Sequence, residues 1–135
     1  MTRPRYEPDD AREWVNRAQS TLAYARQLHP DVLFEDLCYS AQQAAEKAIQ
    51  AVFVKRNQPF PFTHNLDRLL SLLQRSGVSI PDPVLRAGVL TPYAVVVRYP
   101  GPADPVSEDA YLEAIAIAAS VVEWAEFVVH KAANE

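Results

Sequence analysis

Arg98 follows three valines and precedes Tyr99-Pro100-Gly101-Pro102, a stiff turn suited to holding a guanidinium in one orientation. An arginine held in this way suits two-pronged recognition of a phosphate or carboxylate. The same setting serves equally an ion pair with a carboxylate such as Glu46 or Asp104 that fixes the turn. A second group shares one side of a helical stretch. Tyr39, Gln43, Glu46 and Gln50 recur three and four apart, with Lys47 beside them. Gln43, Glu46 and Lys47 offer donors, acceptors and both charges within one turn. Their spacing predicts a solvated face with local ion pairing and leaves open a ligand contact. His64 lies between Thr63 and Asn65 at another helix start. Anion binding and a hydrogen bond to the preceding hinge both fit it there, and spacing favours the hinge.

Other chemistries find no footing. His29, His64 and His130 lie in separate segments without HxxxH or HExxH pairing, so no metal site is assigned. The chain lacks GxSxG, GxGxxG and GxxxxGK, so no catalytic residue and no cofactor is assigned either. The one cysteine, Cys38, forms no disulfide framework and lies on an apolar helix face, which reads as a small core residue. Net charge is −4 but unevenly spread: residues 1–98 carry 12 basic against 10 acidic side chains (+2), and residues 99–135 carry 1 against 7 (−6). That balance argues against a protein that coats nucleic acid and leaves room for a local basic pocket.

The elements that must position these residues are marked by proline. Residues 9–29, 31–58, 62–80 and 106–135 are free of it, and these are the spans in which helices can run. Trp14, Val15, Ala18, Leu22 and Ala25 give the first helix one apolar stripe. A long second helix is expected over about residues 33–57, its packed face formed by Cys38, Ala41, Ala45, Ala48 and Val52 and widened by Leu37, Ala44, Ile49 and Phe53. A third starts at the N-cap candidate Asn65, carries Leu66, Leu69, Leu70 and Leu73, and ends at Gly77. A short fourth is expected over Pro83–Leu90, stopped by Pro92, and the three valines at 95–97 leave an extended segment open. The last, from about Pro105 to Lys131, bears two apolar stripes: Tyr111, Ile115, Ala118, Val122, Ala125 and Val129, then Ile117, Val121, Trp124 and Val128. Two stripes mean burial on both sides, at the centre of the domain or against another chain. The expected fold is all-α, an up-down bundle of four to five helices forming a single domain over residues 1–135 with its core at about 9–130. The longest uncharged runs, Ala87–Val97 and Ala114–Val122, fall short of the roughly 20 residues that span a bilayer, and no apolar leader follows Met1. A cytoplasmic protein without membrane contact is expected.

Three fragments, in order, carry a resemblance. Ala41-Gln-Gln-Ala-Ala-Glu-Lys-Ala-Ile-Gln-Ala51, Thr63-His-Asn-Leu66 and Arg98-Tyr-Pro100 together resemble the signature of the HEPN family, small helical domains of prokaryotes, over about residues 9–130. The resemblance implies a homodimer, for which the C-terminal helix is the expected interface. It also implies pairing with a minimal nucleotidyltransferase in a toxin–antitoxin-like system. Many HEPN domains are metal-independent ribonucleases whose motif is an arginine, four to six residues, then a histidine. Here those positions after Arg98 are Ala103, Asp104 and Pro105, so the motif is absent, and Gln50 stands where relatives often have lysine. What remains is similar to the branch proposed to bind a nucleotide or polyanion beside a nucleotidyltransferase. Its candidate residues are Gln43, Glu46, Lys47, His64, Arg98 and Tyr99, with nucleotide or RNA as ligand and Tyr99 or Tyr39 stacking on a base. A ribonuclease with a non-standard site and a structural helical adaptor are the alternatives.

Overall fold

The chain is described by a computed structural model over residues 3–95 and 105–133. Arg98, Tyr99 and most of the valine run lie outside the described residues. Among the described residues, five α-helices and one 3-10 segment follow in order: α1 (Ala11–Ala25), α2 (Phe34–Lys55), α3 (Leu66–Arg75), α4 (Asp82–Leu85), the 3-10 segment Arg86–Ala94, and α5 (Glu108–Ala133). No strand occurs among the described residues. The bundle is all-α.

Local chemistry sets the boundaries. Asp10 caps α1 by accepting a hydrogen bond from the Arg12 backbone N–H at 2.9 Å. Asn65 caps α3 in the same manner through the Arg68 N–H at 3.1 Å. Gly77, at φ +93°, closes α3, with the Val78 N–H returning to the Leu73 carbonyl at 3.0 Å. Asn57, at φ +51°, closes α2, and the Gln58 N–H returns to Phe53 at 3.0 Å. Asparagine is among the few residues other than glycine that tolerate this left-handed conformation.

One boundary differs from the sequence expectation. Instead of a single α-helix ended by Pro92, one α-turn tightens at Arg86 into a 3-10 run that contains Pro92. Gly88 and Pro92 are poor α-formers, and tighter i→i+3 turns accommodate them in a short piece. Ala87, Leu90 and Ala94 from this run reach the core, and the Thr91 hydroxyl accepts from the Leu66 N–H at 3.2 Å, tying it to α3.

At the centre of the domain lies α2. Leu37, Cys38, Ala41, Ala44, Ala45, Ala48, Ile49, Val52 and Phe53 are all buried on it, and α1 and α5 both pack against it. Alanines at contact positions let the neighbouring backbones approach closely. On α5 most of both stripes is buried inside the chain, while Ile115 and Val128, one from each, are half-buried. Tyr111, Ala118, Val122, Ala125 and Val129 are buried, and so are Ile117, Val121 and Trp124. Burial along both stripes follows from packing of α5 against α1, α2, α4 and the 3-10 run. The Tyr111 hydroxyl donates to the Ala25 carbonyl at 2.8 Å, and its ring stacks on Phe34, 5.1 Å between centroids. No helix among the described residues is long and apolar enough to cross a membrane.

Candidate functional site

Glu46 is buried, with 8% of its surface exposed, and does not stand on a solvated face. A carboxylate so placed needs partners, and three are present. His64 Nδ1 lies 2.8 Å from Oε1, the Gln42 amide donates to the same oxygen at 3.0 Å, and the Gln50 amide faces Oε2 at a long 3.5 Å. Gln42 is itself fully buried and accepts from the Gln43 amide at 2.7 Å. The chain Gln43–Gln42–Glu46–His64 thus links the middle of α2 to the hinge before α3. With the carboxylate accepting at Nδ1, the ring orientation of the half-exposed His64 is set and Nε2 points away from the pair.

This corrects two expectations. The ion pairing expected along α2 does not form among the described residues, because Glu46 turns toward the hinge and not toward Lys47. His64 also bonds across to α2 and not within its own hinge. There the Asn65 N–H is taken by the Thr63 hydroxyl at 3.1 Å.

Lys47 turns the other way, toward α1, and donates to the Thr21 hydroxyl at 2.9 Å. Burial lowers the pKa of its ammonium, nearby Arg17 adds repulsion, and Glu46 opposes the shift. Of the sequence-derived candidates, Gln43, Glu46 and His64 are brought into one network. Lys47 stands one residue along on the same helix, and Arg98 and Tyr99 lie outside the described residues. The polar face of α2 is therefore flanked by α1 through Lys47 and by the hinge through Glu46.

Two polar centres escaped the sequence reading. Gln42 is one: three-and-four spacing grouped its neighbour Gln43 with Glu46 and Gln50 and passed over it. Glu13 is the other. It is 5% exposed and accepts from Arg5, Arg17, the Tyr6 backbone N–H and Asn16. Hydrogen bonds from Arg5 first, then Arg17 and Tyr6, hold its carboxyl far below the usual range. An acid flanked by Arg5 and an (i, i+4) Arg17 is a signal the sequence does contain. Cys38 is buried as expected. Burial pushes its thiol up to about 11, against a hydrogen bond with Tyr93 that works the other way. Among the described residues no cluster of metal-ligating side chains occurs.

A family model described as HEPN domain matches residues 11–128. The chain belongs to the HEPN family. Among solved structures this HEPN chain is similar to TT1696 from Thermus thermophilus, with 28% identity, TM-score 0.78, and coverage of 89% of this chain and 98% of that one. It is also similar in fold to ST0689, an archaeal HEPN homologue, with 23% identity, TM-score 0.71, and coverage of 96% and 99%. Among curated proteins, none matches.

Proposed function

We propose that this single-domain HEPN protein is a nucleotide- or polyanion-binding component that works, as a homodimer, beside a minimal nucleotidyltransferase in a toxin–antitoxin-like pair. The observation that supports the reading best is the polar face of α2. Hydrogen-bonding amides (Gln43, Gln50) lie between an oriented imidazole on one side and, on the other, an ammonium that donates to the Thr21 hydroxyl. Such a face supplies the donors a phosphorylated ligand requires, and Arg98 is the guanidinium assigned to it on sequence grounds.

The test is ligand-induced stabilisation. ATP at a hundredfold excess over its Kd adds about 2.7 kcal/mol to the folded state, a rise of several degrees in Tm, and Arg98→Ala removes it. No shift with ATP, GTP or a short oligoribonucleotide at millimolar concentration defeats the proposal. A second reading rests on the Glu46–His64 pair. An imidazole with one nitrogen held by a carboxylate and the other open is the arrangement proton transfer uses, which favours a ribonuclease with a non-standard site. RNA cut on overexpression, and spared by His64→Ala, would decide for it.

A further inference from the structure

The α1 side of the site holds a cavity of about 310 Å³ lined by Arg5, Tyr6, Pro8, Glu13, Trp14, Arg17 and Lys47. The chain before α1 is laid along that helix by a series of bonds. Arg3 meets Gln19, the Pro4 carbonyl accepts from Asn16 at 2.7 Å, Arg5 donates to Glu13, and the Pro8 carbonyl accepts from the Trp14 indole N–H at 2.8 Å. The Arg12 guanidinium covers the Tyr6 ring, 4.0 Å from its centroid. Trp14 meets Phe60 edge-on, with centroids 5.9 Å apart.

Charge in the cavity is out of balance. Three cations, Arg5, Arg17 and Lys47, meet one carboxylate, Glu13, leaving a surplus of two positive charges. Glu13 is saturated by its four partners. Arg17 reaches it through Nε alone, at 3.0 Å, and both Arg17 Nη groups are unengaged among the described residues. The Lys47 ammonium, with three protons to donate, has only the Thr21 hydroxyl among the described residues. A half-buried ammonium beside an exposed guanidinium that shares its one carboxylate with Arg5 is a place where an anion relieves repulsion.

We infer that this cavity is the phosphate subsite of the binding face, taking the di- or triphosphate end of a nucleotide between Lys47 and Arg17. The inference rests on the nucleotide-binding reading and adds Arg17 and the Trp14 side of α1 to it. The volume is at the low end for ligand pockets, enough for a phosphate chain and not for a whole nucleotide. Continuity comes from α2 itself. Gln43 and Lys47 are one turn apart, so a ligand leaving the cavity at Lys47 runs onto the amides of the polar face.

Pyrophosphate is the direct probe, titrated calorimetrically at low salt against the full chain. It binds the unaltered protein, and Lys47→Gln and Arg17→Gln each weaken it about tenfold or more. Arg75→Gln, which removes an exposed charge elsewhere, leaves binding unchanged. Both cavity variants retain a side chain able to donate to Thr21 or Glu13, and their thermal melts confirm folding. Absence of pyrophosphate binding, a loss equal in Arg75→Gln, or full binding in Lys47→Gln overturns the assignment. ATP separates the two claims. ATP binding that pyrophosphate does not displace keeps the nucleotide reading and removes the subsite. Pyrophosphate binding lost in Lys47→Gln, without ATP binding, keeps the subsite and removes the nucleotide.

Discussion

Truncation of Glu46 to alanine tests whether the polar residues of α2 form a buried network or a solvated face. In the native chain the carboxylate accepts from His64 and from Gln42, and Gln42 has no exposure at all. Removing it strands the Gln42 amide where water does not reach, at a cost of about 1–3 kcal/mol. Loss of one buried methylene adds about 0.8 kcal/mol. Relief of carboxylate desolvation and the better helix propensity of alanine offset a part of this. The net expectation is a loss of about 2–3 kcal/mol, which for a domain of this size lowers Tm by roughly 10 °C.

Glu46→Gln keeps one oxygen for Gln42 and His64 but turns an amide toward the Gln50 donor, so its loss is smaller, about 1 kcal/mol. His64→Ala costs about as little, because water replaces a side chain that is half exposed. Thermal and urea melts followed by circular dichroism measure all three. A Glu46→Ala change within about 0.5 kcal/mol, the usual range for surface substitutions, refutes the buried network. Equal losses for Ala and Gln would show that occupancy of the site matters and acceptance does not.

Glu13 gives a pH dependence. Its carboxyl is held below the ordinary value of 4.5, so the unfolded state takes up the proton first. The stabilisation is complete above about pH 4.5 and is lost progressively as pH falls further. The Tm difference between the unaltered protein and Glu13→Gln is therefore constant above that point and narrows below it, and a gap independent of pH from about 3 to 7 counts against the ion cluster. For Cys38, a thiol pushed up to about 11 by burial is thiolate in only about one molecule in a thousand at pH 8. Aromatic disulfide reagents then react slowly with the native protein and at once in denaturant. Prompt native labelling contradicts the burial.

What sequence could and could not show divides by range. The N-cap at Asn65, the left-handed stop at Gly77 and the burial of Cys38 were legible because each depends on neighbours within a turn or on one helix face. The two stripes of α5 were legible as stripes. Their partners were not, since burial by α1, α2, α4 and the 3-10 run depends on tertiary arrangement. Glu46 was misjudged because its partner, His64, lies 18 positions away across a proline-rich hinge. Lys47 finds Thr21 at a separation of 26. Gln42 shows a finer limit: adjacent glutamines on a central helix divide between core and face, and periodicity grouped only the outer one with the polar stripe.

The burial pattern of α5 also gives the charge division a spatial meaning. Most of its apolar stripes is buried inside the chain, and the acidic side chains Glu113, Glu123 and Glu126 lie on the outer surface beside exposed Leu112 and Phe127. One of them, Glu113, draws Arg86 to 3.7 Å. That outer surface repels a polyanion, and an extended nucleic acid wrapped around the domain would have to cross it. The proposed anion subsite lies instead on the α1–α2 side, where Arg5, Arg17 and Lys47 outnumber the single carboxylate they surround. Under the proposed function, that distribution favours a small phosphorylated ligand over a long duplex.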